Sequence, residues 1–241
     1  MKNLSTIILV LIFNIVLSIV NFKEDASEKA PLTYKSYYDL LGITVECKYK
    51  GALKNFAIKT DSKNVWYTFG CYSSITDSNE YDESILKGLY ITSSSTFQYS
   101  TTQSLESLGK VNIKCPVDYA LSKFTINKNQ NNNLVVDYGC VGVKTIYQTK
   151  DNSIKSSGSF DGPATSLTPL DGLTCGDNTI ETEEIPGTPL RGFKFSITSK
   201  DSTTVNAQYL YSYHKLRSIE NDKKKWAQKT EKLRNDNDQK N

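Results

Sequence analysis

At 241 residues, 38% hydrophobic and 23% charged, the chain can bury a proper core and suits one or two domains. A formal net charge of +3 argues against nucleic-acid binding. The basic surplus is confined to residues 215–241, nine Lys or Arg against five Asp or Glu (9 − 5 = 4), and is interspersed with acid.

Met1 to Ser18 has the pattern of a secretory signal: Lys2 at the start, an apolar run from Ile7 to Val16, and Val16-Leu17-Ser18 as a small-residue cleavage site. The run is broken by Asn14 and is short for a spanning helix, although an uncleaved membrane anchor is the rival reading. No later stretch is apolar enough to span a bilayer. The expected location is therefore secreted, extracellular or the lumen of a secretory granule. Residues 19–241 contain no Asn-x-Ser/Thr acceptor, so N-glycosylation is not expected. Residues 19–33 are polar and read as a flexible lead.

From residue 34 to 214 one unit recurs three times, over about 34–75, 76–147 and 165–214. The first strands carry Ala52-Leu53-x-x-Phe56-x-Ile58, Ala120-Leu121-x-x-Phe124-x-Ile126 and Pro189-Leu190-x-x-Phe193-x-Phe195. The return strands carry Val65-x-Tyr67-x-Phe69-x-Cys71, Leu134-x-Val136-x-Tyr138-x-Cys140 and Ala207-x-Tyr209-x-Tyr211-x-Tyr213. Both alternate as half-buried strands do, and Val, Ile, Thr and Tyr dominate them. A lead-in precedes each: Tyr38-x-x-Leu41 before Cys47, Leu105-x-x-Leu108 before Cys115, Leu167-x-x-Leu170 before Cys175. Self-similarity at this spacing marks a repeat architecture.

Between the units, Leu89-Tyr90-Ile91 and Phe97-x-Tyr99 read as two strands flanking Ser93-Ser94-Ser95, and Thr145-Ile146-Tyr147 as a further strand. Residues 149–166 read as a long loop. The run Asn131-Asn132-Asn133 reads as the polar turn between the two strands of unit two, its asparagines reflecting a coding bias and not a function. Unit three carries an acidic insertion from Gly176 to Thr188, and such interruptions are where specific function would reside. Leu216, Ile219, Trp226 and Leu233 share one helical face, so residues 215–241 form a short charged helix or a polar tail.

The repeat pairs Cys47 with Cys71 and Cys115 with Cys140, tying the two ends of each unit. Closing a loop of roughly 25 residues is worth about 3.5 kcal/mol. Tyr213 stands where a third partner would, which leaves Cys175 as a buried thiol or an intermolecular bridge. Wide cysteine spacing and a single histidine, His214, give no basis for a metal site, and no cofactor motif is present. A Ser-His-Asp or Cys-His mechanism would rest on His214 alone. Glu183-Glu184 and Asp77 with Glu80 are paired carboxylates in loops, with no apolar pocket to raise a pKa. Trp66, Tyr67, Tyr72 and Tyr99 would offer an aromatic ledge for sugars, although alternating aromatics more often build a core.

The Cys-Pro…Phe-x-Ile…Cys rhythm of unit two resembles the repeat of vitelline-membrane outer-layer proteins, which form a threefold β-prism. The likeness covers unit two alone. The acidic-Thr-Ala-Asn-Gly segment and the tryptophans of that family are missing here, so the resemblance is a precedent for geometry and not membership.

The expected fold is all-β: a three-repeat β-body with pseudo-threefold closure, prism- or trefoil-like, or else serial small sandwiches. The expected function is that of a non-enzymatic protein of a cell surface, extracellular coat or secretory-granule matrix, acting by protein binding and assembly. Its partner would be an extracellular protein or glycan, with self-association through Cys175 or residues 216–241. A carbohydrate-binding, lectin-like module is the alternative, and a carboxylate-dependent secreted hydrolase the third reading.

Overall fold

A computed structural model describes residues 22–48, 51–72, 90–97, 104–142, 154–176 and 188–214. Strands β1 (Phe22–Ala26) and β2 (Ala30–Pro31) precede a 3-10 turn at Tyr37–Leu40 and the short strand β3 (Thr44–Glu46). The first long hairpin follows, β4 (Ala52–Thr60) with β5 (Asn64–Tyr72). Next come β6 (Tyr90–Phe97), a 3-10 turn at Leu105–Lys110 and β7 (Asn112–Lys114), leading to the hairpin β8 (Tyr119–Lys128) and β9 (Leu134–Gly142). Finally β10 (Lys155–Ser156), β11 (Phe160–Pro163) and β12 (Thr174–Gly176) lead to the hairpin β13 (Leu190–Ser199) and β14 (Thr204–Tyr213).

The three hairpin tips share one chemistry. Asp61 accepts the backbone N–H groups of Lys63 and Asn64, both at 2.8 Å. Asn129 accepts those of Asn131 and Asn133 at 3.0 and 2.9 Å, and Asp201 those of Thr203 and Thr204 at 2.8 Å. A short side-chain acceptor closing its own turn is the reason Asp and Asn favour such sites. The asparagine-rich stretch is the turn its sequence leads one to expect, with Asn132 in the left-handed region at φ 61°.

The described strands form three antiparallel sheets, ordered β1-β5-β4-β12, β3-β8-β9-β6 and β10-β14-β13-β7, with β2 also on β5 and β11 also on β14. Each hairpin is kinked by one register shift at its base, at Leu53/Asn55, Leu121/Lys123 and Leu190/Gly192. The short strands leave the hairpins they precede. β3 pairs with β8, placing Val45 opposite Phe124; β7 pairs with β13, placing Ile113 opposite Phe193; β12 pairs with β4, placing Cys175 opposite Phe56.

Phe56, Phe124 and Phe193 are 1%, 0% and 2% exposed and meet in the core. Their ring centroids lie 4.9, 4.7 and 5.0 Å apart, all inclined at 57–64°. Such tilted contacts suit the ring quadrupole and add about 0.5–1.5 kcal/mol per pair to the burial itself. Tyr67, Tyr209, Phe195, Ile58 and Ile126 close around them, all buried. The turns leading to β3, β7 and β12 bury Tyr37 and Leu40, Leu105 and Leu108, and Leu167 and Leu170. After the first and third, Gly42 (φ +83°) and Gly172 (φ +78°) reverse the chain and donate to the carbonyls of Ile126 (2.8 Å) and Ile58 (3.0 Å).

Four expectations are corrected. Residues 22–33 are not a free lead: β1 and β2 are antiparallel partners of β5. The serines at 93–95 do not divide two strands, because pairing with β9 holds the backbone from Tyr90 to Phe97 as one. The stretch 149–166 contains β10 and β11 on β14. In the first lead-in the buried pair is Tyr37 and Leu40, one residue earlier than Tyr38 and Leu41. Residues 1–18, 145–147 and 215–241, expected as signal, strand and tail, lie outside the described residues.

Candidate functional site

Both expected disulfides form, Cys47–Cys71 and Cys115–Cys140, with Cα separations of 5.7 and 5.8 Å. Strand exchange changes what they do. Cys47 follows β3 and donates its N–H to Ser122 in the second sheet (2.9 Å), whereas Cys71 lies on β5 in the first. Cys115 likewise donates to Arg191 in the third sheet (2.8 Å), and Cys140 lies on β9 in the second. Each bridge therefore staples two neighbouring sheets and does not merely close one hairpin. Two disulfides are compatible with an oxidising, extracellular setting.

Cys175 occupies a core position on β12. It lies five residues after Leu170, as Val45 lies five after Leu40 and Ile113 five after Leu108, and like them it faces a core phenylalanine. Cys47 and Cys115 come two residues after Val45 and Ile113, and the residue two after Cys175 in the sequence is Asp177. The Cys175 thiol is free, 0% exposed, and pushed well above the usual thiol range by burial. No face of it is offered to a partner cysteine. The hydroxyls of Tyr67 and Tyr209 are buried with no hydrogen-bond partner among the described residues, and burial raises both pKa values.

The disulfide-bearing ends of the three sheets converge. Ala52 and Tyr72 of the first sheet pack with Ala120 and Val141 of the second, beside Tyr90. The Thr188 N–H, entering the third sheet, donates to the Tyr72 hydroxyl at 2.9 Å. His214, leaving it, hydrogen-bonds through Nε2 to the Tyr119 carbonyl (3.0 Å), and its N–H donates to the Pro189 carbonyl (2.9 Å). His214 is thus a buried strap between sheets. Burial holds its pKa below the usual imidazole value, outweighing the carbonyl contact that raises it. Tyr72, Gly142, Gly176 and His214 all lie at this end, Gly142 opposite Tyr119 and Gly176 opposite Asn55.

The aromatic ledge does not assemble. Tyr67 and Tyr72 are fully buried, and Tyr99 lies outside the described residues. Trp66 is covered by Lys29, whose ammonium sits 4.1 Å from the ring centroid. Asp77, Glu80, Glu183 and Glu184 lie outside the described residues. Among the described residues no group of three or more His, Cys, Asp or Glu is placed to hold a metal ion, and no helix is long and apolar enough to cross a membrane.

Sequence reasoning missed the exchange of β3, β7 and β12 and the polar contacts around it, such as Thr60 donating its N–H (3.2 Å) and hydroxyl (2.9 Å) to Asp171. A count from the leucine of each lead-in, in place of the cysteine, carried the signal. No family model, no curated protein and no solved structure matches the chain.

Proposed function

We propose that the three sheets form a pseudo-threefold β-prism of three repeats, and that this body is the scaffold of a secreted, non-enzymatic protein acting by binding and assembly. The carrying observation is the cyclic exchange of strands around three mutually touching phenylalanines. Each sheet borrows its edge strand from another unit, which favours a prism over a row of independent sandwiches. An axis filled by aromatic rings supports a rigid body whose chemistry lies on its surface. The strapped end at Tyr72, Thr188 and His214 is the surface assigned to partners.

The test is an affinity capture from the extracellular fraction with the mature protein as bait, run beside a glycan array. Saturable capture of a protein, blocked by substitutions at exposed Val117 beside the strapped end, is the expected result. Saturable glycan binding competed by free sugar would replace it with the lectin-like reading, and turnover of a glycan or peptide would end the non-enzymatic one.

A further inference from the structure

We propose that β6 is a self-pairing edge: two copies of this chain join antiparallel along it, continuing the second sheet across a two-fold axis at Ser94. An edge strand presents unpaired backbone groups and is ordinarily blunted by charge, proline, bulges or brevity. The other outer edges are blunted. β1 reads Phe-Lys-Glu-Asp-Ala, β2 ends in Pro31, and β10 and β11 are two and four residues long, the latter ending in Pro163. β6 has none of these devices. It is eight residues long, Tyr-Ile-Thr-Ser-Ser-Ser-Thr-Phe, without charge or proline, in unbroken register with β9. Among the described residues no strand lies on its other side.

Hydrogen-bond parity shows which groups face outward. Asn129 donates its N–H to the Asn133 carbonyl, so 129 and 133 are a hydrogen-bonded pair. Alternation along the hairpin then turns the backbone groups of Leu134, Val136, Tyr138 and Cys140 away from β8 and toward β6. Their partners on β6 are Phe97, Ser95, Ser93 and Ile91. The N–H and C=O groups of Thr92, Ser94 and Thr96 therefore point away from the body.

Two copies must pair these three residues with one another, and the register that uses all three sets Ser94 against Ser94 and Thr92 against Thr96. That register coincides with the sequence, because Thr92-Ser93-Ser94-Ser95-Thr96 is a palindrome about Ser94. It also sets Ile91 opposite Phe97. Both pack against the core of their own copy, so the apolar layer would run on across the junction. An isologous two-fold contact needs this self-complementarity, and an uncharged one suits no partner better than itself.

Self-pairing rests on the assembly reading, but its test is separable. Sedimentation equilibrium of the mature protein should give twice the protomer mass, little changed by salt. Ser94→Pro removes only an outward N–H, which an edge strand tolerates, and should give the protomer mass with the fold intact. Should Ser94→Pro fail to fold, a charge swap decides. Thr92→Lys/Thr96→Lys and Thr92→Glu/Thr96→Glu should each be monomeric alone and dimeric when mixed, because lysines of one copy then face glutamates of the other. A monomeric wild type, a dimer indifferent to these changes, or one lost only on deleting residues 216–241 would overturn self-pairing. Partner capture by a monomeric protein would leave the assembly reading standing without it.

Discussion

Truncating Phe124 to alanine tests the centre of the fold. Its ring is fully buried, with neighbouring ring centroids at 4.9 Å (Phe56), 5.0 Å (Phe193) and 5.5 Å (Tyr67). Loss of a buried phenylalanine side chain costs about 3–5 kcal/mol, and the ring pairs add about 0.5–1.5 kcal/mol each when they are not compensated. Three such neighbours put Phe124→Ala near the top of that range, about 4–5 kcal/mol. For a body of this size that is a fall in Tm of roughly 8–20 °C. Phe56→Ala and Phe193→Ala should match it within about 1 kcal/mol, since each touches the other two at nearly the same distance. Guanidinium unfolding with the disulfides intact would measure all three, provided the transition is two-state. One of them costing under about 1.5 kcal/mol while the others cost three times that would refute the equivalence of the three positions.

Other outcomes follow from particular contacts. Non-reducing peptide mapping should return Cys47–Cys71 and Cys115–Cys140, and replacing either pair by serine should cost about 3.5 kcal/mol. Cys175 should resist thiol reagents until the protein unfolds, and Cys175→Ser should leave the mass under non-reducing conditions unchanged. The depressed pKa of His214 makes the unfolded state the better proton acceptor, so stability is full above about pH 6.5 and declines as pH falls through the folded pKa. In His214→Gln that slope should flatten. The Asp61 carboxyl, held down to about 2 chiefly by the Lys63 N–H, should titrate near that value by NMR. Its contribution is complete above the ordinary carboxylate range and is lost as pH falls through about 2.

The hairpins were legible because each carries a period-2 pattern closed by its own turn, as in Ala120–Ile126 with Leu134–Cys140. Alternation tells which face is buried but not which strand lies alongside. Three-residue strands such as Thr44–Glu46 hold too few side chains to announce a distant partner. Cys175 misled for a chemical reason: a cysteine in an oxidising chain invites a bridge, while its spacing from Leu170 marks a core position like that of Val45. The serines of β6 misled because an edge strand needs only one paired side, and small polar residues meet that condition without an apolar signature. The strapped end escaped because its contacts, Thr188 to Tyr72 and His214 to Tyr119, join residues far apart in sequence.

The cyclic exchange of strands is tested most directly by cross-strand NOEs in the folded, labelled protein. Contacts of Val45 with Phe124, Ile113 with Phe193 and Cys175 with Phe56 should appear together in one spectrum. Contacts of β3 with β4, β7 with β8 and β12 with β13 in their place would mean three self-contained units, and would contradict the proposed prism.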